Sequence, residues 1–274
     1  MRKHKVIVSM ILLAVIIFSC SKVPITNRKQ LKLLPESIML SMALTSYQEF
    51  LTQNPPAAAT EKNTIMVKSV GGKLKTAVVD LMKEKGFSKR IQNYKWDFNL
   101  VNSATVNAWC MPGGKVVVYS GILDYTKDET GLAVVMSHEI AHAVARHGNE
   151  RMSQQMVILM GGIGLSVAMQ QQPEKTKNIF LMSYGVGSVL GTLAYSRQHE
   201  YEADKLGMVF MAYAGYDPSK SIEFWERMSK LTGGATVPQF LSTHPSDENR
   251  IKACKEFLPT AMKYYKAGTT TSAK

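Results

Sequence analysis

The feature that most constrains this chain is an apolar helix obliged to carry two imidazoles and a carboxylate. Residues 137–148 read SHEIAHAVARHG and hold three of the six histidines. Thr126 followed three residues later by Glu129 forms a capping box, which predicts a helix starting near Lys127. Leu132, Val135, Met136, Ile140 and Val144 keep that helix amphipathic and mostly buried. His138 and His142, four apart, share one face. Unpaired imidazoles are costly on a buried face, whereas two placed this way can grip one zinc ion. Glu139, the next residue along, can take a proton from the water that completes the coordination. The spacing is HExxH.

A zinc site of this kind needs a third ligand. The metzincin layout is excluded, because it requires Gly at 145 and His at 148, where the chain has Ala145 and Gly148. His147, five residues past His142, is expected to turn off the ligand face and lie at the surface. A carboxylate on a later helix remains, and YSRQHEYEADKLG (Tyr195 to Gly207) supplies one. Glu200 and Asp204 share a face: Glu200 can bind metal, and Asp204 can accept the spare ring N–H of a ligating histidine. Glu202 lies about 200° around the helix from Glu200 and is expected to face away.

The rest of the chain frames this pair. Arg2, Lys3 and Lys5 precede a 13-residue run, Val6 to Phe18, apolar except for Ser9, then Ser19 and Cys20. This is the layout of a bacterial secretory signal over 1–19, too short for a span of roughly 20 residues. IIFSC resembles a lipobox, which makes Cys20 the expected lipidation site and residues 20–34 a polar tether. Helices are expected over Glu36 to Thr52 and Lys62 to Lys85, the second either weakened by Gly71-Gly72 or packed closely through them. From Tyr94 to Ser120 the period changes to two, with hairpin chemistry at Pro112-Gly113-Gly114. A small antiparallel sheet should therefore precede the histidine helix. Two apolar stretches, 156–169 and 179–195, have 14 and 17 residues and read as buried or membrane-facing helices rather than true spans. Cys110 and Cys254 are either a disulfide or, preferably, two buried thiols. The balance of 33 Lys+Arg against 21 Asp+Glu comes without a zinc-finger spacing, an RNP box or a long basic tract, so no nucleic-acid partner is expected.

These motifs together resemble the zinc metallopeptidase family of HtpX, the periplasmic protease BepA and the CaaX prenyl proteases. The likeness includes NAWCMPGG (Asn107 to Gly114) and STHPSDENR (Ser242 to Arg250) and runs over roughly Ile25 to Leu258. It implies one Zn2+ per chain on His138, His142 and Glu200, with Glu139 as the base, in agreement with the spacing. HtpX and the prenyl proteases have long spans and BepA a helical-repeat domain, so the small exported lipoprotein type fits best. The expected fold is α+β and predominantly helical, gluzincin-like, with one catalytic domain over 35–266 and a disordered tail at 267–274.

The strand holding Asn107, Ala108 and Trp109 is the expected substrate edge, although Asn107 could be a turn residue and Trp109 a core aromatic. His244 could donate to a developing oxyanion, touch zinc, or be a turn residue fixed by Pro245, and Arg250 is expected to make a structural ion pair. The expected activity is hydrolysis of unfolded or misassembled envelope proteins by an enzyme lipid-anchored to a membrane and facing the periplasm. The rivals are a zinc-stabilised assembly factor for outer-membrane proteins and a zinc cell-wall amidase.

Overall fold

The computed structural model describes residues 20–160, 173–186, 195–231 and 238–265. The expected signal over 1–19, the tail at 267–274, and residues 161–169 and 187–194 of the two apolar stretches lie outside them. Among the described residues no helix is long and apolar enough to cross a membrane.

The segment expected to be a polar tether, 20–34, contains a β-hairpin. Strand β1 (Cys20–Lys22) pairs antiparallel with β2 (Lys29–Leu31), and Val23, Gln30 and Leu34 are buried. Two long helices follow, α1 (Glu36–Gln53) and α2 (Lys62–Glu84), then the short α3 (Ser88–Ile91). The two glycines of α2 have different jobs. A Cβ on Gly71 would collide with the Phe98 ring, whereas a Cβ on Gly72 would have no described tertiary neighbour within 4 Å.

The sheet contains β3 (Asp97–Val101), β4 (Ala108–Met111) and β5 (Lys115–Tyr119), in the order β3-β5-β4. The hairpin across Pro112-Gly113-Gly114 forms as read, but β3 joins β5 in parallel, so the sheet is mixed rather than antiparallel. The reason is in β5. Val116 and Val118 pack into the main core while Val117 packs into a second core on the other face, and a strand apolar on both faces belongs in the middle. Trp109 joins Val117 in that second core, edge-on to Phe50 at 5.0 Å and Tyr47 at 6.2 Å.

After the sheet come α4 (Leu123–Thr126), α5 (Glu129–Ala145), α6 (His147–Met160), α7 (Pro173–Ser183), α8 (Arg197–Tyr213), α9 (Lys220–Ser229), α10 (Gln239–Thr243) and α11 (Glu248–Met262). The cap of α5 is Asp128, whose side chain accepts from Gly131 N at 2.8 Å. Thr126 instead closes α4, donating back to Leu123 O, because Lys127 at φ 69 breaks the chain between them. Helices α5 and α8 cross closely at Gly207, where a Cβ would stand 3.1 Å from His138 N and 3.2 Å from its Cα. Cys110 and Cys254 are buried free thiols. The architecture is predominantly helical with small sheets, and the core of α2, α5, α8 and β5 holds the histidine helix almost wholly out of water.

Candidate metal centre

Helix α5 delivers His138, Glu139 and His142, α8 delivers Glu200 and Asp204, and the α10–α11 connection delivers His244. One donor atom from each of His138, His142, Glu200 and His244 fits within a common span of 4.8 Å, and all four residues are buried. The two Nε2 atoms of His138 and His142 face each other at 3.0 Å. Glu200 reaches both, with Oε2 3.5 Å from His138 Nε2 and Oε1 3.4 Å from His142 Nε2. His244 Nδ1 lies 3.1 Å from Glu200 Oε1 and 3.2 Å from His138 Nε2. Its Nε2 is 3.3 Å from Glu139 Oε1.

Outer partners fix what the ring nitrogens can do. Asp204 Oδ1 is 3.0 Å from His138 Nδ1, which places the N–H of that ring on the Asp204 side, as the helix spacing led us to expect. His142 Nδ1 is likewise engaged, at 2.9 Å from His147 Nδ1. Two imidazoles held by their outer nitrogens turn both inner lone pairs toward one point, and at 3.0 Å such lone pairs require a cation between them. His138 is pushed up to about 9, because Asp204 and Glu200 outweigh the burial that alone would lower it. The donor set, two imidazoles and a carboxylate with a third imidazole beside them, suits a borderline metal such as zinc. Glu139 Oε1, buried, makes no hydrogen bond to the described residues.

The environment separates the two glutamates. Burial pushes the Glu139 carboxyl above the usual carboxylate range against the pull of His244 and His138. Burial would do the same to Glu200, but Arg250 and His244 hold it well below that range. Arg250, 1% exposed, lies beneath the site with Nη1 2.7 Å from Glu200 Oε2 and its Nε and Nη2 on Asp204 at 2.5 and 2.8 Å. Its guanidinium stacks 3.5 Å above the Trp225 ring. The expected ion pair of Arg250 is thus present, and it joins the carboxylates of α8 directly.

One expectation fails here. His147, expected at the surface, is fully buried against His142. Arg146 adopts a left-handed conformation at φ 63 and ends α5, so counting 100° per residue past Ala145 no longer applies. Glu202 does face away from the metal donors, as expected, but it is not at the surface, because the other side of α8 is covered too. It accepts from His147 Nε2 at 2.9 Å, from Arg28 Nε at 2.8 Å and from Thr26 Oγ1. Sequence reasoning also missed Tyr195, whose ring stacks on His142 at 3.9 Å. The EYEAD stretch carried a signal for Glu202, two carboxylates on opposite faces of one helix, but only the hairpin at 20–31 shows what covers the second face.

The expected substrate strand is placed beside this cluster without joining it. Strand β4 is an edge strand packed on α5, with Ala108 in the main core and Trp109 turned into the second core. Asn107 Oδ1 accepts from Ala108 N at 2.9 Å, and its Nδ2 reaches Gly185 O at 3.5 Å.

Comparison with known proteins bears on this geometry. Residues 69–258 match the model of Peptidase family M48. The mitochondrial metalloendopeptidase OMA1 of Schizosaccharomyces pombe is 32% identical over 247 residues, which are 88% of this chain and 67% of that protein. OMA1 of Saccharomyces cerevisiae is 30% identical, covering 92% of this chain and 72% of its own length. The beta-barrel assembly-enhancing protease of Escherichia coli is 30% identical over 56% of this chain and 32% of that protein.

Proposed function

The chain belongs to peptidase family M48 and is a metalloendopeptidase; from that premise we propose that it uses one zinc ion held by His138, His142 and Glu200 to cut unfolded or misassembled proteins of the bacterial cell envelope. The observation that carries the proposal is the convergence of two imidazole Nε2 atoms and one carboxylate, with a second, unbonded carboxylate oxygen on Glu139 beside them. When bound, zinc would polarise the scissile carbonyl and make water a nucleophile near neutral pH.

The chain's own groups do the rest. Glu139 receives a proton at Oε1 and returns it to the leaving amine. Its raised affinity for that proton is what a shuttle needs, and the depressed value of Glu200 is what a permanently charged ligand needs. His244 Nε2, 3.3 Å from Glu139 Oε1, would donate where negative charge develops, while its Nδ1 stands 3.2 Å from His138 Nε2. Asp204 and Arg250 hold His138 and Glu200 in place. The edge of β4, at Asn107, Ala108 and Trp109, would take an extended substrate through main-chain hydrogen bonds, a sequence-tolerant mode suited to unfolded chains.

The N-terminal pattern ending at Cys20 supports export and a lipid anchor at the membrane, facing the periplasm. Burial of the whole cluster, with Glu139 only 3% exposed, favours as a second reading an assembly factor with slow turnover. The test is cleavage of denatured casein by the purified chain, stopped by a chelator and restored by zinc. Casein left intact while peptidoglycan is opened would replace the proposal with the amidase, and casein left intact in every condition would favour the assembly factor.

A further inference from the structure

The turn of the N-terminal hairpin is tied to the metal centre through two buried side chains. His147 Nε2 lies 2.9 Å from Glu202 Oε2. An ionised carboxylate only accepts, so the proton of His147 is on Nε2 and its Nδ1 carries a lone pair. That lone pair, 2.9 Å from His142 Nδ1, accepts the N–H of His142. The order of donors therefore runs one way, from His142 to His147 to Glu202, and it leaves His142 Nε2 bare and aimed at Glu200 and His138.

Both ends of this chain of contacts are clamped. The His147 ring is stacked on His199 with centroids 4.4 Å apart. His199 Nε2 in turn lies 3.0 Å from Glu150 Oε2. Glu202 is gripped by Thr26 Oγ1 and by Arg28 Nε at 2.8 Å, and the two remaining Arg28 nitrogens reach Glu150 at 2.9 and 2.7 Å. Thr26 and Arg28 sit in a turn that places Ile25 at φ 66 and Asn27 at φ 56. A β-branched residue in the left-handed region is strained, and such strain persists only where surrounding contacts over-determine the backbone. Here the contacts are those to Glu202 and Glu150.

We propose that His147, Glu202 and Arg28 form a positioning relay that sets the tautomer and orientation of His142, making the hairpin of β1 and β2 a structural support of the metal centre. The relay rests on the reading that His142 binds the metal through Nε2. Its members lie outside the set of metal donors, so each acts on the reaction through His142.

The test measures the zinc dissociation constant of the full chain by chelator competition and the visible spectrum of the cobalt-substituted protein. The variants are Glu202→Ala, Glu202→Gln, Arg28→Ala and His142→Ala, with the melting temperature of each metal-free protein recorded alongside. Glu202→Ala should weaken zinc binding by about 10–100-fold, the usual cost of losing an outer partner of a ligating histidine, and should shift the cobalt bands. Glu202→Gln, whose amide oxygen still accepts from His147, should fall between it and wild type, as should Arg28→Ala. A folded Glu202→Ala protein with wild-type zinc affinity and an unchanged cobalt spectrum would overturn the relay, even if its melting temperature dropped. Should Glu202→Ala fail to fold, wild-type affinity in both Glu202→Gln and Arg28→Ala would overturn it equally. Undiminished zinc binding by His142→Ala would instead refute the ligand reading beneath it.

Discussion

Substituting alanine for Gly207 tests whether the close crossing of α5 and α8 is what brings the ligands together. The three atoms nearest to a Cβ at 207 would all be backbone: His138 N at 3.1 Å, His138 Cα at 3.2 Å and Ser137 C at 3.3 Å. No rotamer change relieves such contacts, so the helices must part by a few tenths of an ångström. Overpacking of this kind costs about 1–3 kcal/mol, against a helix-propensity gain of about 1 kcal/mol for replacing glycine. The net is a loss of about 0–2 kcal/mol, and Gly72 isolates the propensity term. It too lies inside a helix, α2, but among the described residues a Cβ there meets no tertiary neighbour within 4 Å, so Gly72→Ala should stabilise the protein by up to about 1 kcal/mol. The two variants should therefore differ by about 1–3 kcal/mol, or several degrees at about 2–4 °C per kcal/mol for a domain of this size. Thermal or urea unfolding of the metal-free proteins measures the difference. Equal stabilisation by both substitutions would refute the close-packing argument. Because α8 carries Glu200 and Asp204, Gly207→Ala should also weaken zinc binding, whereas Gly72→Ala should not.

The other predictions concern charge. Glu200→Ala should lose zinc and activity together, measured by bound metal and cleavage of a denatured substrate, since two histidines and water bind the ion far less tightly than a closed ligand set. Asp204→Ala removes the partner of both His138 and the buried Arg250, so chemical unfolding should reveal a loss of about 3–5 kcal/mol on top of weaker metal binding. Acid should destabilise the metal-free chain in two overlapping steps. His147, lowered to about 4 by burial against the pull of Glu202, begins to lose its contribution as pH falls below 6.5. Glu202 is lowered to about 2 because His147 and Thr26 outweigh burial, and its contribution is lost as pH falls from 4.5 toward that value. The two steps share the His147–Glu202 contact, and urea midpoints at pH 7.5, 5 and 3.5 should fall in that order. A flat profile would contradict both assignments.

How much of this was legible depends on which side of a helix is asked about. The spacing of His138, His142, Glu200 and Asp204 placed four groups on facing surfaces of two helices, and the structure brings them together. The same angular reasoning failed for His147, because it assumed that α5 continues past Ala145. No glycine or proline marks the break at Arg146, which adopts φ 63 without either. For Glu202 the angle was right and the exposure was not: a charged residue opposite a buried face is expected to meet water, and a polar segment, 20–31, covers it instead. The parallel pairing of β3 was hidden for a related reason: alternation reveals a strand but not its neighbour, and only the two-sided burial of Val116 to Val118 puts β5 in the centre.

In the proposed function Glu139 moves the proton at a zinc centre built from His138, His142 and Glu200. Its most direct test is Glu139→Gln, a change that spares the three ligands and removes only the proton acceptor. Metal content and casein cleavage are measured on the same preparation. The expected result is about one zinc per chain with turnover down by at least about 10²–10⁴-fold, the contribution of a general base. Near-normal cleavage by this variant would contradict the account, as would loss of zinc in step with loss of activity.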